Sequence, residues 1–220
     1  MNLQATIDRI GAELVKCSDG CVGICREQKA GILPRGLYVD RPTSTGRGCL
    51  VIGLNPGKSQ AREQKFFRDH EITYDRVKEF YASSRFAYFT KARRVVDELG
   101  LTGPIVWSNL AKCENARGQK ELPPIQTMRH CYGRFLRREL ETIPREWPAL
   151  ALGRDVFLAL AYLVPERAVI GIPHPTGARS FHTLFKQDGT LRDDLRDRAA
   201  DALSAPELGA VWLGLRKERA

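Results

Sequence analysis

The sequence contains no long apolar run. None of its 220 residues belongs to an apolar stretch of the length that a membrane-spanning helix needs, about eighteen residues or more. Its first eight residues also lack the basic-then-apolar layout of a signal peptide. Internal repeats and low-complexity tracts are absent from the sequence as well. We therefore expect a cytoplasmic protein without a membrane span.

Acidic residues are fewer than basic residues. The chain has 26 Asp and Glu against 35 Lys and Arg, which gives a formal net charge of +9. Because neutralised phosphates release condensed counterions, this excess suits a polyanionic partner such as DNA. A solvated basic surface is an equally common cause of such a charge. With 43% hydrophobic residues, a chain of this length buries one sizeable core, and we expect a single domain over residues 1–220.

Short apolar runs alternate with helical patterns along the chain. Four runs bounded by Gly or Pro predict central strands: 49–52, 104–107, 149–152 and 168–172. Apolar spacing predicts helices over 2–16, 91–99, 124–142, 154–163 and 191–203. Strands separated by helices imply right-handed crossovers. The pattern predicts an α/β fold, a three-layer α/β/α sandwich with a central, mainly parallel four-stranded sheet.

Polar side chains follow two of the predicted strands. Asn55 follows the first strand and His174 follows the fourth. Because open α/β sheets hold ligands at the carboxyl ends of their strands, we expect Asn55 and His174 to face one crevice. The alternatives are a helix-capping role for Asn55 and a turn role for His174.

Cysteine is frequent for a chain without a recognisable export signal. Disulfides are not expected in that setting, and Cys49 at the start of a strand is expected to be a small core residue. The other five are Cys17, Cys21, Cys25, Cys113 and Cys131. They come from two distant segments, and four converging thiolates suit zinc or an iron–sulfur cluster. Scattered free thiols are the alternative interpretation.

Four short motifs occur in a characteristic order. They are Gly53-Leu54-Asn55-Pro56-Gly57, Trp107-Ser108-Asn109-Leu110-Ala111-Lys112-Cys113, Leu150-Ala151-Leu152-Gly153-Arg154 and His174-Pro175-Thr176. In this order they resemble the successive signatures of the uracil-DNA glycosylase superfamily, over about residues 8 to 190. The first motif departs from the iron–sulfur branch, family 4, which has Glu-Ala-Pro where this chain has Leu54-Asn55-Pro56. The Asn version resembles the mismatch-specific and single-strand-selective branches.

The cysteines extend this resemblance. The stretch from Asn109 to Cys113, followed by a helix with Cys131, is similar to family 4. In that branch an N-terminal cysteine pair and two later cysteines hold a [4Fe-4S] cluster. By position the pair is Cys17 and Cys21, with Cys21 and Cys25 as the alternative.

The resemblance implies a monomeric base excision repair enzyme that hydrolyses the N-glycosidic bond of uracil in DNA, with other deaminated bases as further substrates. It implies that Asn55 positions the water and that His174 donates to uracil O2 as negative charge develops. Asn109 would read the Watson–Crick edge of a flipped base. The remaining residues of the implied pocket are Gly53, Pro56, Gly57 and a stacking aromatic.

The stacking aromatic has five candidates in the sequence after the first motif: Phe66, Phe67, Phe86, Tyr88 and Phe89. Phe66 and Phe89 fit best by their distance from neighbouring features, and core packing is the alternative role for these rings. The segment 177–182 corresponds to the loop that wedges into the duplex in the superfamily. There, and at the first motif, Lys58, Arg179 and Ser180 are the implied DNA contacts.

Two other hypotheses fit the same sequence. One is a catalytically weak relative that recognises lesions in DNA without excising them. The other is a zinc-stabilised nucleotide-binding protein with no nucleic-acid substrate.

Overall fold

The computed structural model describes residues 3–118, 121–176, 179–205 and 209–214. Its α-helices within those ranges are α1 (Leu3–Val15), α2 (Ala61–Asp69), α3 (Tyr74–Ser83), α4 (Ala87–Glu98), α5 (Ile125–Cys131), α6 (Arg137–Thr142), α7 (Arg154–Leu163) and α8 (Asp193–Ser204). Its strands are β1 (Ile24–Cys25), β2 (Tyr38–Asp40), β3 (Cys49–Gly53), β4 (Ile105–Asn109), β5 (Glu114–Asn115), β6 (Ala149–Leu152), β7 (Val169–Ile172) and β8 (Ala210–Trp212). None of the helices in the described ranges is long and apolar enough to cross a membrane.

A mainly parallel sheet dominates the fold. Its strand order is β2-β4-β3-β6-β7-β8, and β1 and β5 form a separate antiparallel pair. Strands β3, β6, β7 and β8 run parallel, with Leu50 opposite Ala149 and Val169 opposite Ala210. The predicted α/β class is confirmed, as are the four predicted strands. The prediction of only four strands is wrong, because β2 and β8 add one strand at each edge. Each is three residues long, and β8 is partly exposed, so neither gives a long apolar run.

The chain divides into two compact units. Unit 1 comprises Met1–Pro42, Gly53–Ser84 and Val106–Pro144, and unit 2 comprises Thr43–Ile52, Arg85–Ile105 and Arg145–Ala220. The expectation of a single domain stays a prediction.

Unit 1 is organised around α1. This helix buries Ile7, Ile10 and Leu14 and contacts α3, α6 and β2. Gly11 allows the close approach of α3, since a Cβ at this position would lie 2.3 Å from the ring of Tyr74. The predicted helix over 2–16 is therefore confirmed as an amphipathic element that packs its apolar face into a core.

Unit 2 is built on the buried strands β6 and β7. Every residue of both strands is buried, and α7 packs against them through Val156 and Leu160. A Cβ at Gly171 would lie 2.5 Å from the rings of Phe157 and Trp212, so glycine lets both aromatics pack on β7. Such continuously apolar strands are typical of parallel sheets covered by helices.

Candidate functional site

Two of the motifs lie side by side in unit 1. The backbone N–H of Leu110 donates to the carbonyl of Gly53 at 3.0 Å, and that of Ala111 donates to the carbonyl of Leu54 at 2.9 Å. These bonds fasten the segment after β4 to the segment after β3. The side chains of Asn55 and Asn109 therefore start from neighbouring backbone.

The Asn55 side chain is half-buried and oriented by its own loop. Its Nδ2 donates to the carbonyl of Pro56 at 2.8 Å, which identifies the donor end of the amide and leaves Oδ1 as the acceptor end. Pro56 is buried, whereas Gly57 and Lys58 are exposed. A Cβ at Gly57 would meet nothing within 4 Å, so the backbone there borders open space. The loop thus combines a fixed amide with an accessible backbone.

The Asn109 side chain is buried and closely confined, with 7% of the residue exposed. Gly36 faces it with φ at +107°, and a Cβ at Gly36 would lie only 2.0 Å from Asn109 Nδ2. Glycine is therefore required at this position both for backbone conformation and for space. Gly36 is a site residue that the sequence reasoning missed. Its signal is a glycine two residues before β2, followed by the apolar Leu37.

A buried ion network underlies the Asn55 loop. The side chain of Arg35 is 3% exposed, and its guanidinium contacts the carboxylates of Glu63 at 2.7 Å and Glu114 at 2.9 Å. It also donates to the carbonyl of Gly57 at 2.7 Å. Glu114 in turn accepts from the backbone N–H of Ser59 at 2.9 Å. No spacing pattern in the sequence indicates this network, because its charges come from three distant segments.

Phe66, one of the predicted stacking residues, lies half-buried on α2 in unit 1. Its ring stacks on His70 with centroids 4.6 Å apart and an interplanar angle of 27°. Phe80 lies 5.2 Å away at a tilted angle. The ring of Phe66 therefore takes part in a local aromatic cluster, which agrees with the packing alternative.

His174 follows β7 in unit 2 and is half-buried. Burial lowers its pKa below the ordinary value of 6.5, which favours the neutral imidazole at physiological pH. The backbone N–H of Thr176 lies 3.4 Å from Nδ1 as a weak donor, which makes Nδ1 the acceptor. In the tautomer that accepts at Nδ1, the neutral ring carries its proton on Nε2 and can donate a hydrogen bond there.

Aromatic rings adjoin His174 in unit 2. Tyr88 lies 5.6 Å from the imidazole, and the predicted Phe89 contacts Tyr88 edge-on at 5.3 Å. Burial raises the pKa of Tyr88, so its phenol stays neutral. Tyr88, rather than Phe89, is the ring that the structure brings against the histidine.

The predicted wedge segment begins outside the described residues, since Gly177 and Ala178 are not among them. Arg179 and Ser180 begin a 3-10 turn over Arg179–Leu184, and Arg179 is exposed. Phe181 anchors this turn in the interior of unit 2. The buried Phe181 thus holds in place the turn from which the exposed guanidinium of Arg179 extends.

Four thiols influence one another in unit 1. Burial, together with the neighbouring thiols of Cys131, Cys17 and Cys21, raises the pKa of Cys113 to about 12. Burial first and then Cys131 and Cys17 raise the pKa of Cys21, and burial is also the main cause of the raised pKa of Cys131. Cys17, Cys113 and Cys131 are buried and Cys21 is half-buried. Thiols that perturb one another in this way lie in one neighbourhood.

Cys25 lies in β1, directly opposite Glu114 in the β1–β5 pair. The thiols that raise the pKa values of Cys21 and Cys113 are those of Cys17, Cys21 and Cys131. These neighbours favour Cys17 and Cys21 as the N-terminal pair.

The loop that carries Cys17 and Cys21 is fastened to the helix that carries Cys131. The carboxylate of Asp19 accepts from His130 at 2.6 Å and pairs with Arg134. These partners, Arg134 first, lower the pKa of Asp19 to about 2. Thr127 adds a hydrogen bond to the carbonyl of Val22 at 2.7 Å.

A π-helical turn over Tyr132–Leu136 follows Cys131 directly. Such turns are rare and frequently lie at functional sites. Among the described residues, no group of three or more His, Cys, Asp and Glu side chains is arranged to hold a metal ion as the structure stands.

No protein-family model, curated protein or solved structure matches this chain. The case for a function therefore comes from its residues and their geometry.

The predicted site residues are divided between the two units. Gly53, Pro56, Gly57, Asn55, Lys58, Asn109 and Phe66 belong to unit 1, together with the five cysteines. His174, Phe89, Arg179 and Ser180 belong to unit 2. A crevice shared by Asn55 and His174 stays a prediction.

Proposed function

We propose that this protein is a DNA glycosylase that hydrolyses the N-glycosidic bond of uracil in DNA, as the first step of base excision repair. The observation that carries the proposal is the pair of backbone hydrogen bonds from Leu110 to Gly53 and from Ala111 to Leu54. They hold a loop with an oriented amide beside a buried amide at a strand end. One amide suits a water and the other suits a base edge.

Asn55 is proposed to position the attacking water. In the reaction the water oxygen bonds to C1′ of the deoxyribose, the C1′–N1 bond breaks, its electron pair leaves with the uracil anion, and the surplus proton of the water passes to solvent. The Oδ1 of Asn55 accepts a hydrogen bond from the water, but an amide does not take its proton as a carboxylate would. Catalysis therefore depends on positioning and on stabilisation of the leaving group.

Asn109 is proposed to select the base. Its amide can donate to O4 of uracil and accept from N3–H, which is the pairing that cytosine would leave unsatisfied. A buried group without its partner costs about 1–3 kcal/mol. The confinement of Asn109 by Gly36 supports this role, because discrimination requires a side chain that does not rotate to suit the wrong base.

His174 is proposed to stabilise the leaving group. Its neutral imidazole donates through Nε2 to uracil O2 as charge develops there. The lowered pKa supports this role, because a neutral donor persists through the physiological range. The neighbouring Tyr88 becomes a candidate for the stacking aromatic beside Phe66 and Phe89.

Cys17, Cys21, Cys113 and Cys131 are proposed to hold a [4Fe-4S] cluster. The chemistry of the donor set supports this, since these four free thiols of unit 1 are soft donors of the kind that such clusters take, and a coordinated metal deprotonates them. A bound cluster would supply a cross-link between the α1 end, the β5 segment and the α5 end. The wider proposal is a monomeric, cytoplasmic enzyme with the three-layer glycosylase fold, which contacts DNA phosphates through Lys58, Arg179 and Ser180.

Single-turnover excision from a uracil-containing oligonucleotide tests this function. The parent protein should release uracil, and Asn55→Ala should slow release by about 10²–10³, the usual loss for a positioned catalytic group. Gln60→Ala is the matched control, because it removes an exposed amide from the same loop with no side-chain capping bond. A double-variant cycle with His174→Ala then measures whether both groups act on one step.

The rival functions give different results. A parent protein that binds uracil-containing DNA but releases no base would be a lesion-recognising protein. A colourless parent protein that contains zinc and binds nucleotides but not DNA would be a nucleotide-binding protein.

A further inference from the structure

The buried ion network of unit 1 binds the short loop segment from Gly57 to Ser59 at both ends. Arg35 donates to the carbonyl of Gly57 at 2.7 Å, and Glu114 accepts from the N–H of Ser59 at 2.9 Å. The two side chains also contact each other at 2.9 Å. A carbonyl and an amide two residues apart are therefore bound by a single ion pair. That segment directly follows Asn55 and Pro56.

The same ion pair is fastened to the cysteine segment. Glu114 is the residue after Cys113, and the backbone N–H of Arg35 donates to the carbonyl of Lys112 at 2.8 Å. Glu63 fixes the guanidinium from α2 at 2.7 Å. Burial of all three side chains excludes water, so each contact is a strong constraint.

We infer that Arg35 and Glu114 are positioning residues for Asn55, and that they couple the placement of the Asn55 loop to the Cys113 segment. The inference rests on the proposed function for its catalytic part. Neither side chain needs to touch the substrate. Their effect is to fix the backbone from which the Asn55 amide is presented, where a displacement of about 1 Å can cost 10²-fold in rate.

The variants are chosen to separate positioning from general stability. Glu114→Ala removes the acceptor of the Ser59 N–H and the partner of Arg35. Glu114→Gln keeps an oxygen for the same hydrogen bond and serves as the conservative rescue. Glu139→Ala is the matched control, because Glu139 is also a fully buried carboxylate in an ion pair, with Lys112 at 2.8 Å. Its carboxylate binds Lys112 and the hydroxyl of Ser108, and neither residue belongs to the loop of Gly57 and Ser59.

The first measurement is hydrogen exchange at the Ser59 amide, below the melting temperature of every variant. We expect Glu114→Ala to speed this exchange by about 10-fold or more relative to the parent, because a buried hydrogen bond is lost. Glu114→Gln should stay within about 3-fold. Glu139→Ala should leave the exchange rate at Ser59 closer to that of the parent than Glu114→Ala does, even if both variants lower the melting temperature equally. Equal exchange at Ser59 in Glu114→Ala and Glu139→Ala would overturn the inference.

The second measurement is excision. Glu114→Ala should slow single-turnover uracil release by about 10–100-fold with little change in DNA affinity, and Glu114→Gln should recover most of that rate. Parental rates in both Glu114→Ala and Arg35→Lys would overturn the positioning role.

The third measurement addresses the coupling. Cys113→Ser should also speed exchange at Ser59, because Cys113 directly precedes Glu114, whereas Cys49→Ser, at a buried thiol of unit 2, should not. Unchanged Ser59 exchange in Cys113→Ser would overturn the coupling. If the parent protein excises no uracil, the proposed function fails, but the exchange measurements still decide whether this network holds the loop.

Discussion

Replacing Gly36 by alanine tests whether the confinement of Asn109 matters for base selection. The new Cβ would lie 2.0 Å from Nδ2 of Asn109, whereas ordinary contact begins at 3.4 Å, so the amide must be displaced. The displacement exceeds about 1 Å, enough to cost up to about 10²-fold in the rate of a positioned reaction. A φ of +107° adds backbone strain of about 1–3 kcal/mol for a residue with a Cβ.

Two assays separate these effects. Thermal unfolding should show a loss of about 2–4 °C per kcal/mol of strain for a chain of this size. Single-turnover assays on matched uracil and cytosine oligonucleotides should show slower uracil release and a smaller preference for uracil over cytosine.

Gly100→Ala is the control for strain alone. Gly100 also has a positive φ, +70°, but a Cβ there would meet nothing within 4 Å. Gly100→Ala should therefore lose stability without losing uracil excision. Uracil release by Gly36→Ala at the parental rate and with the parental preference would show that the confinement of Asn109 has no role in base selection.

Three further predictions concern the cofactor, the histidine and the DNA contact. Cys113→Ser and Cys131→Ser should each lose the visible absorbance and the roughly four irons of a [4Fe-4S] protein. Cys25→Ser should keep both. Loss of absorbance and iron in Cys25→Ser alone would contradict the assignment of the ligands. His174→Ala should slow excision by about 10²–10³. Burial lowers the pKa of His174 in the folded protein. The contribution of His174 to folding stability should therefore be constant above about pH 6.5 and should decline as the pH falls through the lowered pKa. Measurements of unfolding against pH should show no such decline in His174→Ala. DNA affinity should fall steeply with salt, and Arg179→Ala should reduce the slope of log K against log salt by about one; an unchanged slope would remove Arg179 from the phosphate contacts.

The sequence predicts the parts of the fold that local patterns encode. The runs that became β3, β4, β6 and β7 are continuously apolar and end at Gly, Pro or a polar residue, which is a signal that any buried strand leaves. The helix predicted over 124–142 was found as α5 and α6 with the π-helical turn between them. Apolar spacing does not reveal such a turn, because one extra residue per turn shifts the periodicity only briefly.

The site was predictable only where a single residue stands at a strand end. Asn55, Asn109 and His174 fall at such positions, and the loop and strand end that carry the two asparagines are joined by backbone bonds. Arg35 and Glu114 could not be found in this way, because an ion pair between residues far apart in the chain leaves no local pattern. Tyr88 was among several aromatic residues, and only three-dimensional packing distinguishes the ring beside His174.

The attachment of Asp19 to His130 and Arg134 has a consequence for the order of assembly. These bonds, and the one from Thr127 to Val22, are made by protein atoms alone, so the attachment of the loop of Cys17 and Cys21 does not itself consist of metal coordination. In a zinc finger, by contrast, the chain folds only when the metal binds, because metal binding supplies the free energy of folding. We therefore expect folding to precede insertion of the proposed cluster, because the two cysteine segments are joined by bonds of their own. Loss of the cofactor should then leave a folded apoprotein that can be reloaded without refolding.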